Sequence, residues 1–174
     1  MAGIPIRKRG APLEMSPGRR IAVLVLETFL YIVWLGSLAG VALIAAPAAF
    51  AHAPAEVAGA IVGASLRALT VVAWICGGLT LVIWLARIRR EGRMALLGAL
   101  LVAATDYAQW SIAPRMDAIV EAVHGPLASL PQDDVRRTTF DALHRRSTGI
   151  YGAVLVFGFA AAALAAARRP ADRR

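Results

Sequence analysis

The stretch TFLYIVWLGSLAGVALIAAPAAFA, residues 28–51, decides the fold. It runs for 24 residues without an Asp, Glu, Lys or Arg. A helix rises 1.5 Å per residue, so about 20 mostly apolar residues cross a bilayer's hydrocarbon layer. Three more stretches meet that length. Residues 68–86 and 147–167 carry no charge, and residues 94–114 carry one, Asp106. Across all 174 residues, 59% are hydrophobic and 17% charged. Soluble domains average roughly 45–50% and about 25%. This excludes a soluble globular enzyme, and also a disordered chain, which lacks such apolar content. A single cysteine, Cys76, excludes an internal disulfide framework and a multi-Cys metal site.

The net charge of +8 raises the question of nucleic-acid binding, which its distribution answers. Residues 1–20 carry Arg7, Lys8, Arg9, Arg19 and Arg20 against Glu14. The turn at 87–93 carries Arg87, Arg89, Arg90 and Arg93 against Glu91, and the tail Arg168, Arg169, Arg173 and Arg174 against Asp172. Segment 115–146 balances five Arg with five acids, and the loop at 52–66 has no Lys or Arg. Basic clusters thus alternate with neutral loops at successive crossings, the positive-inside pattern. It predicts a multi-pass protein of the cytoplasmic (inner) membrane with both termini and the 87–93 turn in the cytoplasm. Topology and lipid headgroups account for the basic clusters, so no nucleic-acid partner is expected. Ala49-Phe50-Ala51 resembles a signal-peptide cleavage site. Signal apolar cores run about 7–15 residues, however, so the longer first stretch is read as a retained helix.

The expected organisation is a basic cytoplasmic arm at 1–20, a four-helix membrane domain at 21–168 and a basic tail at 169–174. The fold class is an all-α membrane protein. Four transmembrane helices, about 21–46, 67–87, 94–113 and 147–167, form a bundle with an extracytoplasmic helical cap at 114–146. Pro47 limits the residue before it to extended geometry and is expected to end the first span, and Pro114 the third. Pro54 suits the first turn of a helix that could run to Arg90, with a break near Gly63 as the alternative. Met116, Ile119, Val120 and Val123 recur at helical spacing. Ser129 and Gln132 form an S-x-x-Q capping box. No breaker lies beyond it, so 131–167 reads as one helix. No full-length repeat supports an inverted-repeat transporter.

Helices in lipid associate through small residues. Gly36-x-x-x-Gly40, Gly59-x-x-x-Gly63, Ala99-x-x-x-Ala103, Gly152 and Gly158 supply these. The bundle is their first use, and Gly36/Gly40 could alternatively form a homo-oligomer face. Trp34 and Trp74 are expected in the bundle interior, Trp84 and Trp110 at the membrane interfaces.

Intramembrane ionisable residues are functional candidates by default. Here they are Glu27, Asp106 and Arg67. Glu27 lies near the cytoplasmic side and Asp106 towards the outer one, so the two acids do not share a proton. Arg67 matches Asp106 in depth, and the two are expected to pair. The structural role of each acid is an ion pair, or a carboxyl bonded to Tyr or Trp. The other role is a proton or cation pathway. His52, His124 and His144 fall on the outer side with Met116 and Asp117, a donor set suited to copper or zinc. Their spacing matches no ligand motif, so no metal is expected, and these histidines remain candidates only. His144 has a bland alternative, stacking on Phe140 four residues earlier. No phosphate-binding loop or nucleophile elbow is present, and Ser147 beside His144 lacks a third triad member. No catalytic residue and no cofactor are expected.

Several landmarks together resemble a known family. Trp34-Leu35-Gly36 gives W-x-G, residues 46–50 give A-P-x-x-F through Pro47 and Phe50, and Ala58-Gly59 follows. Pro114-Arg115-Met116-Asp117-Ala118 and then Phe140, Leu143, His144 and Ser147 complete the order. The set is similar to the transmembrane-protein-205-like family, also called domain of unknown function 4149. The resemblance implies a four-helix membrane protein of undefined activity. The resulting expectation is a non-enzymatic structural or interaction component contacting membrane lipids, its outer segment 115–146 being the partner surface. The alternative is a metal-resistance or small-cation transport component, from a looser likeness to copper-resistance membrane proteins, using His144, His124 and Asp106.

Overall fold

A computed structural model describes residues 16–86, 88–123 and 125–167. The arm before Ser16, the tail after Ala167, and residues Arg87 and His124 lie outside the described residues, as do the readings placed on them. The described chain is all-helical. The segments are α1 (Pro17–Gly40), α2 (Ala46–His52), α3 (Ala55–Val72), α4 (Gly78–Leu85), α5 (Ile88–Tyr107), α6 (Ala113–Ala122) and α7 (Val135–Ala167). Three π-helical segments join them: Val41–Ala45 between α1 and α2, Ala73–Gly77 between α3 and α4, and Ala108–Ile112 between α5 and α6. Four spans long and apolar enough to cross a membrane result: Ile21–His52, Ala55–Leu85, Gly92–Ala122 and Val135–Leu164.

The expected stops at Pro47 and Pro114 are corrected. A proline inside an α-helix removes one hydrogen bond and clashes with the carbonyl four residues back. Here the residue before each proline donates five residues back instead: Ala46 N–H to the Val41 carbonyl, and Ala113 N–H to the Ala108 carbonyl. The wider turn lets the helix resume with Pro in the first turn of α2 and of α6. The first span therefore reaches His52 and the third Ala122. The second span has no break at Gly63, and its π-helical segment falls instead at Ala73–Gly77.

The fourth helix is one piece of 33 residues, as its unbroken pattern suggests, but it is capped differently. Asp134, not the Ser129–Gln132 box, caps it: Asp134 Oδ1 accepts from the Arg136 backbone N–H at 2.8 Å. Ser129 instead lies in a 3₁₀ turn, and its hydroxyl donates to the Pro126 carbonyl. Arg137 donates to the Leu130 carbonyl at 2.8 Å and so ties the loop to the helix. The Arg136 side chain also bonds Asp134 and holds its carboxyl at about 2, below the usual carboxylate range.

The spans pack in cyclic order: first on second, second on third, third on fourth, fourth on first. Leu30, Tyr31, Trp34, Leu35 and Leu38 form one stripe on α1, the 3–4 spacing of a single helix face. They meet Ala73, Cys76, Trp84, Met94, Leu101 and Val154. Three glycines allow the closest approaches. A Cβ at Gly77 would sit 2.9 Å from Val102 and 3.3 Å from Trp34, and one at Gly158 would sit 2.6 Å from Leu35. One at Gly98 would overlap the Trp84 ring. Gly36, Gly40, Gly59 and Gly152 face open space, so the bundle does not use them. The outer surface is rich in large apolar side chains, among them Ile32 at 66% and Leu43 at 72% exposure. Contiguous exposure of this kind is costly in water and ordinary in lipid.

Candidate functional site: a cleft between the second and third spans

Call the end holding His52, Ala55, Ala122 and Val135 the cap end, and the opposite one the terminal end. Each intramembrane carboxyl meets an indole N–H. Near the terminal end, Glu27 is 2% exposed and accepts from Trp84 Nε1 at 2.8 Å. Trp84, one residue from the end of its span, is buried in the bundle at 1% exposure, and its ring tilts against Tyr31 with centroids 5.9 Å apart. Gly98 makes room for it. Midway along the second and third spans, Asp106 accepts from Trp74 Nε1 at 2.6 Å. Trp74 is correspondingly not an interior residue: 45% of it is exposed, and its ring stacks on Trp110, centroids 6.1 Å apart and planes 5° from parallel.

The expected Asp106–Arg67 pair is replaced by another. Arg67 Nη1 lies 3.7 Å from Asp117 Oδ2. The Arg67 guanidinium also comes within 3.7 Å of where a Gly63 Cβ would stand, one turn towards the cap end. A helical side chain leans towards the helix N-terminus, and a long basic one reaches for the polar side of the membrane. That direction carries Arg67 away from Asp106 and towards Asp117.

Arg67, Thr70, Val71 and Trp74 on the second span face Trp110, Ala113, Pro114 and Asp117 on the third across a cleft of about 410 Å³. The second span contributes residues at i, i+3, i+4 and i+7, and the third contributes the same pattern from Trp110 together with the neighbouring Gln109. Two π-helical segments, Ala73–Gly77 and Ala108–Ile112, carry the stacked tryptophans. Such insertions recur at functional sites because they re-aim side chains. Thr70 donates to the Leu66 carbonyl, so its hydroxyl is satisfied within its own helix.

The cleft thus gathers Arg67, Pro114 and Asp117, with Asp106 held behind Trp74. The other singled-out residues lie elsewhere. Trp34 is in the core, and Arg115 is exposed. Phe50 is exposed where α2 ends. His52, the last residue of α2, is exposed. His144 is exposed and stacks on Phe140, centroids 6.1 Å apart. Ser147 donates to the His144 carbonyl at 3.3 Å. Among the described residues no group of three or more His, Cys, Asp or Glu could hold a metal ion. Sequence reading missed the roles of Trp74, Trp110 and Asp117. The signal was mirrored spacing: Arg67 stands seven residues before Trp74, and Asp117 seven after Trp110.

These features define an all-helical, multi-pass membrane protein with four span-length helices. The family described as Domain of unknown function (DUF4149) matches residues 29–124, more than half of the chain. The chain belongs to that family, and the matched stretch contains every residue of the cleft. No curated protein and no solved structure gives a match.

Proposed function

We propose that the protein is a non-enzymatic structural and interaction component of the cytoplasmic membrane, with both termini cytoplasmic and its helical cap as the partner surface. The observation that carries this reading is the tryptophan partner of each intramembrane acid. Glu27 and Asp106 stand at different depths, on different helices, and each links two spans through an indole N–H. That is the geometry of residues that fix helix crossings. A proton or cation pathway needs titratable groups in relay. The cap is built to stay ordered on the surface, since Asp134 caps α7 and Arg137 binds the preceding loop.

Reconstitution tests this. Proteoliposomes holding the full chain, loaded with pH- and metal-sensitive dyes, should leak protons, potassium, copper and zinc no faster than empty vesicles. Flux abolished by Asp106→Asn would instead establish the transport alternative.

A further inference from the structure

The cleft has a dipolar rim and an aromatic wall. Arg67 and Asp117 each lie seven residues, two helical turns, from their stacked tryptophan, so the charges stand ~10 Å nearer the cap end than the rings. The rim charges are 3.7 Å apart, beyond hydrogen-bond range, and their side chains are 53% and 62% exposed. The Arg67 donors and Asp117 acceptors therefore keep capacity for a ligand. The wall is mostly apolar, with Gln109 and the internally bonded Thr70 as its polar members, and it faces outward: Trp74, Trp110 and Val71 are 45%, 66% and 51% exposed. A volume of about 410 Å³ is in the range of small-molecule clefts, and too small for a whole two-chain lipid.

The geometry points to a binding site for one zwitterionic aminophospholipid. Its phosphate binds the Arg67 guanidinium, its primary ammonium the Asp117 carboxylate, and one acyl chain lies over Val71, Trp74 and Trp110. Charge complementarity selects this headgroup. The glycerol of phosphatidylglycerol offers Asp117 only neutral hydroxyls in place of a charged donor, and a choline headgroup has no N–H to donate to the carboxylate. The ~10 Å between rim and rings matches the step from a headgroup to the upper acyl chain. The site is independent of whether the cap meets a partner.

The test uses the full chain in mild detergent and its tryptophan fluorescence. The quenchers are phosphatidylethanolamine, phosphatidylglycerol and phosphatidylcholine, each brominated on its acyl chains. Trp34 and Trp84 are buried, so quenching reports on Trp74 and Trp110. Phosphatidylethanolamine should quench saturably at about tenfold lower concentration than the other two, a difference of about 1.4 kcal/mol. Arg67→Gln and Asp117→Asn should each bring the three lipids to similar midpoints, while Arg67→Lys and Asp117→Glu keep the preference. Equal quenching by all three lipids in the unmodified protein would overturn the proposal. So would a preference for phosphatidylglycerol, or a preference that survives Arg67→Gln and Asp117→Asn with helix content unchanged.

Discussion

An acid inside a helical bundle persists when a donor meets it, and at Asp106 that donor is Trp74. Asp106→Asn keeps a carbonyl oxygen for the indole and should leave thermal stability nearly unchanged. Asp106→Leu strands the Trp74 N–H and should cost about 1–3 kcal/mol in detergent unfolding. The same logic separates two candidate ion pairs. A double-mutant cycle on Arg67 and Asp106 should be additive within about 0.5 kcal/mol, whereas Arg67 with Asp117 should couple by about 0.2–1 kcal/mol. Coupling between Arg67 and Asp106 larger than that between Arg67 and Asp117 would contradict the rim described above. Depth along a helix could be read from the sequence, which is why Arg67 and Asp106 looked compatible. Direction around the helix could not. The lean of Arg67 towards the cap end follows from helix geometry, but that Asp117 stands opposite it depends on which face the third span presents, which periodicity does not locate.

Among the elements, small residues set how closely the helices approach and caps set where they begin. Gly98→Ala places a methyl group in the Trp84 ring and should destabilise by about 1–3 kcal/mol. Gly36→Ala, facing open space, should leave monomer stability unchanged, and a change in oligomeric state would reveal an interface there. At α7, the Asp134 carboxyl is held at about 2 by its bonds to Arg136, below its ordinary value of 3.8. A lowered folded value means that its contribution is complete above the ordinary value and lost as pH falls towards 2. The difference in melting temperature between the unmodified chain and Asp134→Ala should therefore shrink across that window and stay constant above it. The four spans and the long α7 were legible because charge-free length and unbroken helical spacing are local properties. Stacking of His144 on Phe140 was legible for the same reason. Continuation past Pro47 and Pro114 was not, because a proline signals a stop unless a π-helical turn absorbs it. Gly98 belongs to no spaced pair of small residues, Gly77 pairs only with Ala73, and the Trp34 and Trp84 rings opposite them show why they are small.

For the whole molecule, four span-length helices among the described residues bring Pro17 and Ala167 to the same end of the bundle if each crosses once. The apolar exterior and the cyclic packing of the spans agree with four crossings, and the charge asymmetry is the ground for the proposal that the basic turn faces the cytoplasm. Cysteine labelling in intact cells measures this directly. In a Cys76→Ala background, single cysteines replacing Gly3, Gly92 and Asp172 should resist an impermeant thiol reagent until the cells are permeabilised. Cysteines replacing Ala55 and Ser129 should react at once. Reaction of the cysteine at Gly92 from outside, with Ala55 protected, would contradict the arrangement.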